Sequence, residues 1–139
     1  VYLAAQGYQV DAVDFSEVAL RKAQVLARKR GVRIHTILKE VRRFDFRESA
    51  YDLIVNIHFL DREILSALVK SLKKGGVLVF ENPTLEQIRL DPEHTPREFL
   101  LQKGEAKALF RGFPELEILV YRETQDGRNA LASLLAVKR

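Results

Sequence analysis

No cysteine occurs among the 139 residues, which excludes disulfides, thiolate zinc sites and a cysteine nucleophile. Methionine is also absent, position 1 included. No apolar run approaches the roughly 18 residues of a membrane-spanning helix, and no basic-then-apolar leader precedes Val1. The expectation is a soluble, cytoplasmic protein without a membrane partner. Prolines number only four, and three of them, Pro83, Pro92 and Pro96, fall within one short stretch where long regular elements are discouraged. No internal repeat, low-complexity segment or metal-ligand set stands out. What remains is 47% apolar, enough for a single domain over residues 1–139 to bury a core without metal or disulfide support.

The net charge of +4 is unevenly placed. Residues 1–50 hold ten Lys/Arg against six Asp/Glu, and the remainder holds thirteen of each. A basic first third can serve a nucleic-acid surface or simply solvate a helix face and its loops. No aromatic residues interleave with these charges as stacking platforms, so a nucleic-acid partner is disfavoured.

The segment YDLIVNIHFLDREILSALVKSLKKGGVLVFEN, residues 51–82, reads as strand, helix, strand. Its apolar run at Leu53, Ile54, Val55 and Ile57 suits a parallel strand covered on both faces, interrupted by Asn56 and His58 near the carboxyl end. Ile64, Leu65, Leu68, Val69 and Leu72 form one stripe of a helix expected over residues 61–73, stopped by Gly75 and Gly76. Residues 77–80 give the second buried strand, with Glu81, Asn82 and Pro83 at its exit. Earlier, residues 8–14 form a strand ending in Asp14. Ser16 then caps a helix running to about Arg30, and residues 33–38 make a third strand. Residues 84–96 are a candidate lid, residues 104–110 a short helix, and residues 116–123 and 129–137 two strands joined through the Asp126-Gly127 turn. The fold class is α/β, mostly parallel with an antiparallel final hairpin, and all six strands are expected in one sheet. Ligands of such sheets bind outside the carboxyl ends of the strands. Asp14 there can accept two hydrogen bonds from a ribose diol or can cap the following helix, and spacing leaves both readings open.

VDAVDFSEVALRKA, YDLIVNIHFL, KKGGVLVFEN and the antiparallel close together resemble the S-adenosylmethionine-dependent methyltransferases of the Rossmann-like class. PREFLLQKGEAKALFRGFPELEILVYRE resembles more narrowly the tellurite-resistance branch, near the thiopurine methyltransferases. The resemblance implies S-adenosylmethionine as cofactor and a small-molecule methyl acceptor, a chalcogen oxyanion or a thiol. It makes Asp14 the ribose acid, lays Phe15 against the adenine and puts Glu40 and Val41 at the adenine edge, where Asp is more usual than Glu. It sets Asn56 and His58 beside the methionine part and the sulfonium, with Phe59 and Leu60 walling the pocket. His58 is the candidate for proton transfer; its other reading is a hydrogen-bonded wall residue. His94 and Arg97 stand where the family keeps substrate contacts, and Arg97 suits an anionic acceptor. Asp14, Glu40 and His58 are expected to share one crevice.

The family's first strand and glycine-rich loop are expected just upstream of Val1. Their absence reads as truncation of the natural chain or as a strand borrowed from a second copy in a homodimer. A gap about one strand wide would separate the neighbours of that strand. The alternatives to an enzyme of this kind are an inactive methyltransferase-like interaction or regulatory module, an RNA methyltransferase resting on the basic first third, and a nicotinamide dehydrogenase, against which the final hairpin argues.

Overall fold

The computed structural model describes residues 1–93 and 96–139. His94, one of the two expected acceptor contacts, lies outside the described residues. Backbone contacts divide the chain into two compact units, Val1–Asp45 and Phe46–Arg139.

The first unit is strand, helix, strand. A short helix α1, Tyr2–Ala5, ends ahead of Gly7, whose φ of 92° only glycine adopts cheaply. Strand β1, Asp11–Asp14, leads into α2, Glu17–Lys29, and then β2, His35–Leu38. The start of α2 is the expected cap: Ser16 is extended and its hydroxyl accepts a hydrogen bond from the Ala19 amide at 3.2 Å. Leu20 and Ala27, one face of the helix, are buried. The two strands pair in parallel from Asp11 against His35 to Asp14 against Leu38. The Lys39 amide continues the ladder to the Asp14 carbonyl at 3.0 Å.

The second unit is a four-stranded sheet in the order β3, β4, β6, β5, where β3 is Tyr51–Ile57, β4 is Leu72–Pro83, β5 is Leu116–Gln125 and β6 is Ala130–Lys138. β3 and β4 are parallel, while β6 is antiparallel to both β4 and β5. The hairpin between β5 and β6 is closed by Asp126, whose carboxylate accepts from the Arg128 and Asn129 amides at 2.7 Å each. Those two amides hold the Asp126 carboxyl below its ordinary range. Register puts Leu78, Phe80 and Asn82 of β4 beside Ala136, Leu134 and Ala132 of β6, and all six are buried. Phe110, from α5 (Glu105–Arg111), meets Phe80 edge-on with ring centroids 5.0 Å apart, and this pair is the centre of the core. A further short helix, α4, spans Gln87–Leu90.

Three expectations change. The six strands form two sheets, not one, because backbone pairing closes separately within each unit. The helix expected over residues 61–73 is shorter: a 3-10 turn at Arg62–Ile64 leads into α3, Leu65–Ser71, and β4 already begins at Leu72. The helix stops early because other groups take up its last carbonyls. Ser49 and Ala50 donate their amides to Lys70 and Ser71, and the Lys138 ammonium reaches the carbonyls of Val69, Lys70 and Leu72 at 2.8–3.1 Å. Gly75 and Gly76 serve a register shift in β4 instead. A Cβ on Gly76 would stand 2.8 Å from the Lys73 carbonyl oxygen and 3.1 Å from that of Tyr51. Third, the first part of the candidate lid is pinned. Thr84 and Leu85 bond to Ala130 and Leu101, and the Gln87 side chain ties to the Ala130 amide and the Arg128 carbonyl.

Arg62 fastens the start of α3 to α5. Its Nε donates to Glu105 at 2.6 Å while its terminal nitrogens reach the carbonyls of Glu98 and Leu100. Burial raises the Glu105 carboxyl, but the hydrogen bonds from Arg62 and the Gln102 amide, with the Arg62 charge, outweigh it and leave the group below its ordinary value. A lowered carboxyl contributes stability that is complete above its unfolded value and lost as pH falls through the folded one. Arg62→Ala should therefore cost about 1 kcal/mol at neutral pH, and its stability should fall less than the wild type's between pH 5 and pH 3. Urea titrations at both pH values check this; parallel losses in the two proteins would contradict it.

Candidate active site

In the first unit the parallel pairing brings Asp14 and Glu40 to the same sheet edge, since Asp14 pairs with Leu38 and Glu40 follows two residues later. The half-buried Asp14 carboxylate accepts the Ser16 amide through Oδ1 at 2.8 Å, a turn that leads into the helix whose cap is Ser16 itself. It does not exclude the other role, because the second oxygen makes no protein hydrogen bond among the described residues. Phe15 projects with 77% of its surface exposed. Glu40 is exposed and pairs with Arg43 at 3.4 Å, and Val41 opens the 3-10 turn Val41–Arg43 that follows.

In the second unit the carboxyl ends of β3 and β4 collect Asn56, His58, Glu81 and Asn82. Asn56 is 8% exposed, and its side-chain Nδ2 is a buried donor with no partner among the described residues. Leaving such a donor unmet costs roughly 1–3 kcal/mol. Asn82, equally buried, is satisfied by the carbonyls of Phe99 and Pro83 at 2.7 and 3.3 Å. His58 takes a left-handed backbone, φ 56°, which costs a non-glycine residue about 1–2 kcal/mol. Its amide is fixed on the Glu81 carbonyl at 2.8 Å, and its Nε2 lies 3.7 Å from Glu81 Oε1. The Ser133 hydroxyl donates to the other Glu81 oxygen at 2.7 Å.

Of the two residues expected in the pocket wall, Leu60 is buried at 4% exposure and Phe59 is partly exposed. Arg97 lies exposed in the 3-10 turn Arg97–Phe99. Glu81 and Ser133 escaped the sequence reading as site residues. The available signal was Ser133 itself, a hydroxyl inside the apolar run LASLLAV of a strand otherwise buried at alternate positions. Among the described residues no three His, Asp or Glu side chains group as a metal site. No helix there is long and apolar enough to cross a membrane.

Comparison with known proteins settles the family. The profile described as methyltransferase domain matches residues 1–76. The chain belongs to the methyltransferase domain family. No curated protein sequence matches it. Among solved structures, the PH0226 protein of Pyrococcus horikoshii superposes with a TM-score of 0.76 at 15% identity, covering 99% of this chain and 75% of that one. TehB of Haemophilus influenzae gives 0.73 at 25% identity, and the chain, covered to 99%, spans 52% of TehB. A SAM-dependent methyltransferase of Methanosarcina mazei gives 0.72 at 23% identity, over 99% and 85% of the two chains. The fold is Rossmann-like, mixed, with the antiparallel hairpin, and the cofactor of this methyltransferase is S-adenosylmethionine.

The residues present fit that cofactor. Taken unit by unit, the first offers a carboxylate oxygen at Asp14 for a hydroxyl and an exposed ring at Phe15 for a base, and the second offers the buried Asn56 amide as a donor. If the Asn56 amide is kept for a ligand, it is a liability without one. Asn56→Leu, with the same branching and the same number of side-chain heavy atoms, should raise the stability of the unliganded protein by about 1 kcal/mol. Urea unfolding checks this, and a loss of stability would mean that the amide already has a partner.

Proposed function

We propose that this methyltransferase transfers the methyl group of S-adenosylmethionine to a small-molecule acceptor, a chalcogen oxyanion or a thiol. The likeness to TehB, at 25% identity over nearly the whole chain, carries this reading. The resemblance of residues 96–123 to the tellurite-resistance branch is consistent with it.

When bound, S-adenosylmethionine supplies an electrophilic methyl group on a sulfonium sulfur. The chain's own work is then to bind, orient and exclude water. We assign Asp14 to the ribose diol, accepting through the oxygen that the Ser16 amide leaves open. Phe15 offers its exposed ring to the adenine, and Glu40 with the Val41 backbone flanks the base edge. Asn56 donates its unmet amide to the methionine part, with His58 beside it. Arg97, a permanent cation in an exposed turn, suits an anionic acceptor.

A carboxylate that holds a ribose diol contributes about 1.5–3 kcal/mol through its charged hydrogen bonds. Asp14→Asn keeps an oxygen for the Ser16 amide, so the fold should survive while affinity for S-adenosylhomocysteine falls roughly ten- to a hundredfold. Calorimetric titration reads this directly, and unchanged affinity would refute the assignment. For the acceptor, methyl transfer to selenite, tellurite or an aromatic thiol is the expected result; transfer confined to RNA would contradict the small-molecule reading.

A further inference from the structure

We propose that Glu81 and Ser133 hold His58 as the base that takes a proton from the methyl acceptor. This rests on the methyl-transfer reading and deepens it by naming the residues that move the proton.

The three residues come from three neighbouring strands and line up by register. Ile57 pairs with Glu81, Glu81 pairs with Ser133, and His58 follows Ile57 directly. Each link has a direction. The Ser133 hydroxyl donates to Glu81 Oε2 at 2.7 Å, which turns the carboxylate and leaves Oε1 facing the imidazole. His58 Nε2 stands 3.7 Å from that oxygen, too far for a hydrogen bond but within ion-pair range. Catalytic contacts are often this loose before substrate binds and tighten in the reacting complex. The backbone adds an independent observation. His58 is one of two non-glycine residues with positive φ among the described residues, and its amide is clamped to the Glu81 carbonyl at 2.8 Å. A wall residue needs no left-handed backbone, and strain of this kind collects where a side chain must be aimed.

The setting is also selective. Ser133 is half-buried on the face of β6 opposite Ala132 and Leu134, directly across from Glu81. Glu81 is the charged group that faces His58 from β4. Asp61, the nearest carboxylate along His58's own segment, is occupied in capping the Glu63 amide at 3.0 Å. Ser133 on β6 is neutral. Among the described residues the imidazole has the Glu81 carboxylate within ion-pair range, and just over half of its side chain is exposed.

This arrangement favours the tautomer that carries its hydrogen on Nε2, toward Glu81, with the Nδ1 lone pair open to the acceptor. An acceptor that arrives protonated, as a thiol does, loses that proton to Nδ1, and the bonding pair stays on its sulfur. That sulfur forms the new bond to the methyl carbon. The bond from the methyl to the sulfonium breaks with its electrons on the departing sulfur, which leaves as a neutral thioether. The imidazolium, its second N–H on Glu81, releases the proton to water. His58 is the catalytic residue in this scheme, and Glu81 and Ser133 are positioning residues.

Two measurements separate this from the reading beneath it. Nitrogen-15 NMR of the unliganded protein reports the His58 tautomer without any activity: a predominance of the Nε2–H form in the wild type, reduced in Glu81→Gln and to a lesser degree in Ser133→Ala, supports the proposal. The same tautomer mixture in all three proteins overturns it, even if the chain proves to methylate nothing. Kinetics with two aromatic thiols, one un-ionised and one fully ionised at the assay pH, give the second test. His58→Gln should lower kcat for the un-ionised thiol about a hundredfold and leave the ionised one within roughly twofold. Glu81→Gln should follow the same pattern at about tenfold, with KM unchanged. Equal losses with both thiols would show that His58 only shapes the pocket.

Discussion

Strand β4 is the constraint on which the second unit rests. It is paired along both edges, in parallel to β3 and antiparallel to β6, so its register fixes the position of both neighbours at once. That register is held by side chains that cannot slip. A shift of one residue would turn Leu78, Phe80 and Asn82 away from Phe110 and expose the opposite face's Glu81 to the core. The glycine-bearing irregularity at its start absorbs the mismatch between Tyr51–Leu72 and Leu53–Val77, so the rest of the ladder runs without a break to Ile57 and Glu81. The proposed chemistry sits where that ladder ends.

Placement there follows from parallel strands. Every parallel strand delivers its last side chains and the next connection to the same edge, and that edge is free of the ladder that would otherwise satisfy their polar groups. Asp14 and Glu40 arrive at such an edge in the first unit, and Asn56, His58 and Glu81 in the second. The polar groups at the two edges differ in one respect. Asp14 and Glu40 are partly occupied, by the Ser16 amide and Arg43, whereas the buried Asn56 amide has no partner among the described residues. A buried donor left unmet is rare in a folded protein, and an acceptor on a bound ligand would account for it.

Much of this was legible in the residues. The cap at Ser16, the Asp126 hairpin and the antiparallel last strand all follow from local chemistry that tertiary packing did not override. The family was legible from Asp14 and the run through Asn82 taken in order. What failed was set by distant partners. The end of α3 at Ser71 depends on Lys138, far along the chain, whose ammonium captures three carbonyls that a longer helix would have used. The division into two sheets depends on which strands find backbone partners, which no local pattern states. Glu81 and Ser133 were passed over because their meaning comes from lying side by side across two strands.

The central claim is that the carboxyl ends of these strands are organised for S-adenosylmethionine, with Asn56 as the donor kept in reserve. The side-chain amide resonances of Asn56 report on this most directly. On addition of S-adenosylhomocysteine they should shift and become protected from exchange with solvent, because the Nδ2 hydrogens acquire the acceptor they lack in the unliganded protein. Resonances that stay where they were while the ligand binds elsewhere would contradict the account.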